Sequence, residues 1–137
     1  MTATDPHVMG RDRVDLSAYS GDHDELVKQL REANEHRAAM PGGLVWFVHR
    51  SPEDDSCVMN AGVRDGRGAL EWIDNERGEV FLPGGVNVED VDYFTWFGHH
   101  TPMAPGTDVA VELVLRAVAE FARTGERPTC VEWSLEL

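Results

Sequence analysis

The sequence predicts an α+β fold, a single domain in which two helices pack against an antiparallel β-meander. Three observations carry this. Two stretches, about 22–39 and 109–121, repeat their apolar residues at helical spacing. Between them lie short runs of β-branched and aromatic residues joined by polar turns. And 137 residues suffice to bury roughly 65–70% of the surface of the unfolded chain, so no metal or disulfide is needed to hold one core.

In chain order, residues 1–13 are polar and irregular and are expected to fray, leaving the domain over 14–137. Val14-Asp15-Leu16 alternates apolar and polar, enough for one short strand. Ser20-Gly21-Asp22 offers helix caps, with Asp24 and Glu25 suited to the positive end of a helix dipole. Leu26, Val27, Leu30 and Ala33 then recur on one helical face until Pro41-Gly42-Gly43. Leu44–Val48 is continuously apolar and reads as a strand buried on both faces. Cys57–Val63, Ala69–Ile73 and Glu79–Leu82 follow as strands, with Asp65-Gly66-Arg67-Gly68 a tight turn. Asp92–Phe97 is a further aromatic strand. After a loop over 98–106, Thr107 and Asp108 are candidate caps for the second helix. Its stripe is Val109, Leu113, Val114, Ala117, Val118 and Phe121, and Gly125 stops it. Thr129–Trp133 is the last expected strand.

Charge narrows the function classes. The net charge is −13, and residues 51–95 carry eleven acids against three bases. Such a field repels phosphate backbones, so nucleic acid is not an expected partner. It attracts basic proteins and speeds encounter with them. The first twenty residues hold no apolar run of a secretory signal, and no stretch reaches the roughly 20 apolar residues of a membrane span. The expected location is therefore the cytoplasm, with no membrane partner. Cys57 and Cys130 alone do not imply a disulfide; both read as small apolar residues at strand positions.

No residue pattern demands catalysis. There is no Gly-x-Ser-x-Gly turn, and Gly42-Gly43 and Gly84-Gly85 lack the Lys-Ser/Thr of a phosphate loop. His99-His100 is a poor chelate, because adjacent side chains diverge, so no metal or other cofactor is expected. Glu71 and Glu132 each precede a tryptophan, which can raise a carboxyl pKa; the plainer reading puts the glutamate on a solvated side with the indole packed inward. Trp46, Trp72, Trp96 and Trp133 all fall in expected strands and serve either as core or as interface anchors.

One resemblance sharpens this. Gly98-His99-His100-Thr101-Pro102, the helix after it, Phe121-x-x-Thr124-Gly125-x-Arg127-Pro128-x-x-Val131-x-Trp133 and the upstream Gly62-x5-Gly68-Ala69-Leu70 are similar to the Imm1 immunity-protein family, over about residues 58–134. Met103-Ala104 departs from the family's usual acidic or aromatic residue before the loop proline. The resemblance implies a non-enzymatic bacterial protein that binds and neutralises a cognate polymorphic toxin, commonly a nuclease or nucleic-acid deaminase, by blocking its basic cleft. The helix stop at Thr124–Pro128 marks the fold without marking the binding face. The candidate toxin contacts are the acids Glu53, Asp54, Asp55, Glu71, Asp74, Glu76 and Glu79, with Trp72 as an aromatic anchor. A different reading, a small-molecule or enzymatic pocket, would use Trp96, His99, His100, Glu132 and Trp133. A third is a regulatory domain on a borrowed fold.

Overall fold

A computed structural model describes residues 7–37 and 41–136. The elements run β1 (Arg13–Asp15), a 3₁₀ turn (Leu16–Tyr19), α1 (His23–Arg37), β2 (Gly43–His49), β3 (Cys57–Arg64), β4 (Arg67–Asp74), β5 (Glu79–Leu82), β6 (Tyr93–Phe94), β7 (Asp108–Ala110), α2 (Val111–Thr124) and β8 (Ser134–Leu135). The expected α+β class is the observed one. Strand order is β1-β2-β3-β4-β5-β8, and the central β2–β5 strands form the antiparallel meander. Three additional strands depart from a pure meander. Both β1 and β6 pair with β2 in parallel, and β7 pairs with β4.

Alternation decides which residues meet the helices. Leu44, Trp46 and Val48 of β2, Met59, Ala61 and Val63 of β3, and Leu70 and Trp72 of β4 point to one side. There they join Leu26, Leu30 and Ala33 of α1 and Val114, Ala117, Val118 and Phe121 of α2 in the main core. The other side carries a smaller cluster of Val45, Ala69, Tyr93 and Met103, under the 83–107 loop. Tyr93 lies flat on the strands because Gly43 and Gly62 lack side chains. A Cβ on either would stand 2.4 or 2.6 Å from its ring. Burial pushes the Tyr93 phenol up to about 12, against the pull of the Arg64 guanidinium.

Several sequence expectations are corrected, each for a local reason. Residues 1–6 of the segment expected to fray, and residues 38–39 of the first helix, lie outside the described residues. Residues 7–13 are tied down. Val8 is buried, its amide donates to Gln29 Oε1, and its carbonyl accepts from Trp46 Nε1. The first strand closes at Asp15, and Leu16 begins the 3₁₀ turn. The 92–97 strand shrinks to Tyr93–Phe94. Gly98 N–H donates to Thr95 O with Gly98 at φ 89°, turning the chain, and Trp96 stacks instead on His36 of α1. Thr107 and Asp108 do not cap α2, whose N-cap is Ala110 without a side-chain cap bond. Asp108 belongs to β7, where its carboxylate meets Arg64 and Arg67 at 3.0 Å each. Pairing near the C-terminus falls at Ser134–Leu135 rather than 129–133. The Glu120 carboxylate takes the amides of Thr129 and Cys130 at 2.6 and 3.1 Å and holds that segment on α2. Trp96, Cys130 and Trp133 therefore lie outside strands. Both cysteines are free, and burial pushes both thiols up.

The Thr124–Pro128 stop behaves as the sequence implies. Gly125 is left-handed at φ 70° and its N–H returns to Phe121 O. Arg127 lies over the Phe81 ring at 4.4 Å, and Trp133 Nε1 donates to Pro128 O at 2.8 Å. Among the described residues no helix is long and apolar enough to cross a membrane.

Candidate protein-binding surface

The β3–β4 register sets Cys57 opposite Asp74, so the 51–56 loop and the 75–78 turn leave the same end of the sheet side by side. Asn75 locks them. Its amide donates to Ser56 O at 2.9 Å and its Nδ2 to Asp55 O at 2.7 Å. Glu53, Asp54, Asp55, Asp74 and Glu76 are gathered there, and Glu79 lies opposite Asp74 on β5.

These carboxylates are not equivalent. Asp54 accepts from Ser56 Oγ at 2.6 Å, from the Ser56 amide at 3.0 Å and from Arg50 Nε at 2.9 Å. The Ser56 bonds, with Arg50 after them, hold its carboxyl below the usual range. Asp74 accepts from the amides of Glu76 and Arg77 and shapes its turn. Asp54 and Asp74 thus build the loops, whereas Glu53, Asp55 and Glu76 project into solvent. On the helix side of this end, Arg50, Arg77 and Arg127 border a polar recess of about 330 Å³ together with Asp74, Glu76 and Glu126, so charge is balanced there. On the other side Asp55 lies 4.0 Å from Arg13 and 3.6 Å from His49, whereas Glu53 has no ion pair among the described residues.

Glu71 is two rows away from that end, on the face turned from the helices. The registers place Phe47, Asn60, Glu71 and Leu82 in one row and His49, Val58, Ile73 and Val80 in the next. Asn60 Nδ2 donates to Glu71 Oε1 at 2.9 Å. Burial pushes the Glu71 carboxyl up, Asn60 pulls it down, and the nearby Glu136 pushes it up further. Trp72 is a correction to the contact set. It is 6% exposed and faces the core, edge-on to Phe121 at 5.0 Å and tilted against Trp133 at 6.4 Å.

The five residues of the alternative pocket are not brought together. Trp96, His99 and His100 follow β6, beside β2, whereas Glu132 and Trp133 precede β8, beside β5; the four strands β2–β5 separate them. His99 is exposed with its amide on Thr95 Oγ1, and His100 Nε2 lies 2.8 Å from Asp92 Oδ1. The two imidazoles serve different neighbours. Glu132 is exposed beside its half-buried tryptophan.

Sequence reasoning missed three polar residues that organise this region. Asn60 is 8% exposed, within a strand otherwise apolar from Cys57 to Val63; its place there was a visible signal. Asn87 gave none. Its Oδ1 accepts from the amides of Gly106, Thr107 and Asp108, and its Nδ2 donates to Glu89 O and Ala104 O. Asp108, expected as a cap, is the hub of the two-arginine cluster.

A sequence model of the family described as Immunity protein Imm1 matches residues 17–135. The match takes in α1 and β2 as well as the segment over 58–134 that carries the resemblance. No curated protein matches the chain.

Proposed function

Since the chain belongs to the Imm1 family of immunity proteins, we propose that it binds a cognate toxin and silences it by filling the toxin's basic active-site cleft. The toxin is a nuclease or nucleic-acid deaminase, whose cleft must be cationic to hold its substrate. The chain acts in the cytoplasm as a stoichiometric binder, with no catalytic step and no cofactor. The observation that carries the mode of action is the placement of charge. Glu53, Asp55 and Glu76 project from one end of the sheet of a chain with net charge −13. An acidic surface of this kind competes with nucleic acid for the same groove and accelerates encounter.

Co-expression with the toxin encoded beside this gene tests the proposal. Growth should be rescued and a one-to-one complex recovered. Continued killing, with no complex between the purified proteins, would remove it.

A further inference from the structure

The face of the sheet turned from the helices has two halves. One is covered by Tyr93, Val91 and Met103 of the 83–107 loop. In the other half, Phe47, Glu71, Ile73, Val80 and Leu82 are only half-buried, whereas Trp46, Met59 and Leu70 on the opposite face of the same strands are fully buried. The sequence thus leaves five large side chains, four of them apolar, facing solvent on a rigid antiparallel scaffold. A protein interface has this anatomy, an apolar centre inside a charged rim. The rim here is acidic. Asp15 stands across from His49, Asp55 approaches the same histidine at 3.6 Å, and Glu136 continues past β8 with its amide on Val80 O.

At the centre is an unfinished polar pair. Asn60 donates to Glu71, but its buried Oδ1 has no hydrogen-bond partner. Glu71 makes no ion pair with any described lysine, arginine or histidine, and Glu136 adds like charge. An orphaned buried acceptor costs about 1–3 kcal/mol. The Glu71 carboxylate is an acceptor that Asn60 meets at one oxygen, Oε1, and a guanidinium or ammonium is the donor that would also balance its charge. Arg13, at the far edge of this face, is already engaged by Asp15, Ser51 O and Pro52 O and lies 4.0 Å from Asp55.

We infer that this open half-face is where the toxin docks, with a lysine or arginine of the toxin paired to the Glu71 carboxylate beside Asn60. The inference rests on the toxin-binding reading and gives it a location. A second copy of this chain is disfavoured as the occupant, because each copy brings net charge −13. The same field turns away nucleic acid. The exposed acids of the 51–56 loop and 75–78 turn then steer the encounter, while the apolar centre and Glu71 set the lifetime of the complex.

The test measures affinity for the purified toxin domain encoded beside this gene. Glu71→Gln keeps the acceptor for Asn60 and removes the charge; it should weaken binding about tenfold or more, through faster dissociation. Ile73→Arg should weaken it about 100-fold. Glu112→Gln, in the exposed pair with Arg31 on the helix layer, should stay within about twofold. A direct readout on the unaltered chain guards against misfolded variants: toxin should shift the methyl resonances of Val58, Ile73, Val80 and Leu82 and spare Val27 and Leu113. Tight binding by the wild type that both face variants and all four methyls ignore would overturn the location and leave the toxin-binding reading intact. Weakening by Ile73→Arg alone would overturn the cation seat. A wild type that fails to bind the toxin at all would overturn the reading itself.

Discussion

Asp108 and Glu71 show how differently one fold treats two acids. Asp108 is 7% exposed and faces two arginines, Arg64 and Arg67, whose side chains remain about one-third or more exposed. Removing the carboxylate leaves two cations crowded but still partly hydrated, so Asp108→Ala should cost about 2 kcal/mol, below the usual cost for a fully buried pair. A drop in the urea midpoint with an unchanged slope would register it. Glu71 has only Asn60 for support and lies near Glu136. Its folded pKa is raised, so the folded chain binds more protons than the unfolded one and stability falls as pH rises through that window. Glu71→Gln should therefore match the wild type below the ordinary glutamate value of 4.5 and exceed it increasingly above, to a plateau at neutral pH. A variant less stable than the wild type at pH 7 would contradict this. On the proposed reading, the position keeps an acid at a cost to the free protein, as a binding residue does.

Among the elements, the long central strands and both helices were legible because their periodicities are repeated over several turns or residues. Short pairings were not. Nothing local tells Tyr93–Phe94 from Trp96-Phe97 as a strand, since the outcome depends on the Thr95–Gly98 turn and on His36 in a distant helix. The last strand was misplaced, by five residues at its start and two at its end, for a similar reason. Glu120 is one carboxylate on α2, yet it fixes Thr129 and Cys130 before pairing can begin. The acidic end of the site was readable, because neighbouring hairpin ends must lie together. The open face was not, because alternation shows two faces of a sheet without saying which one the helices take. The loop layer makes its own demand on the strands. Gly62→Ala would put a methyl 2.6 Å from the Tyr93 ring and 3.2 Å from Leu44 O, and should cost about 2 kcal/mol by overpacking. Thermal melts of the variant would show it, along with loss of Tyr93 rigidity.

The whole molecule combines a one-sided helix layer, a half-covered sheet and a net charge of −13. Self-repulsion of that size disfavours pairing of copies through the open apolar surface and, on the proposed reading, leaves it to an oppositely charged protein. The 83–107 loop both completes the second core and borders the open half-face, so stability and recognition share one boundary. The most direct measurement is the association rate with the adjacent-gene toxin across ionic strength, for the wild type and for a variant with Glu53, Asp55 and Glu76 each changed to Lys. The wild-type rate should fall steeply with salt, and the variant should associate about tenfold or more slowly at low salt, with a weak salt dependence. Equal rates for the two proteins at every salt concentration would contradict a steering acidic surface aimed at a cationic cleft.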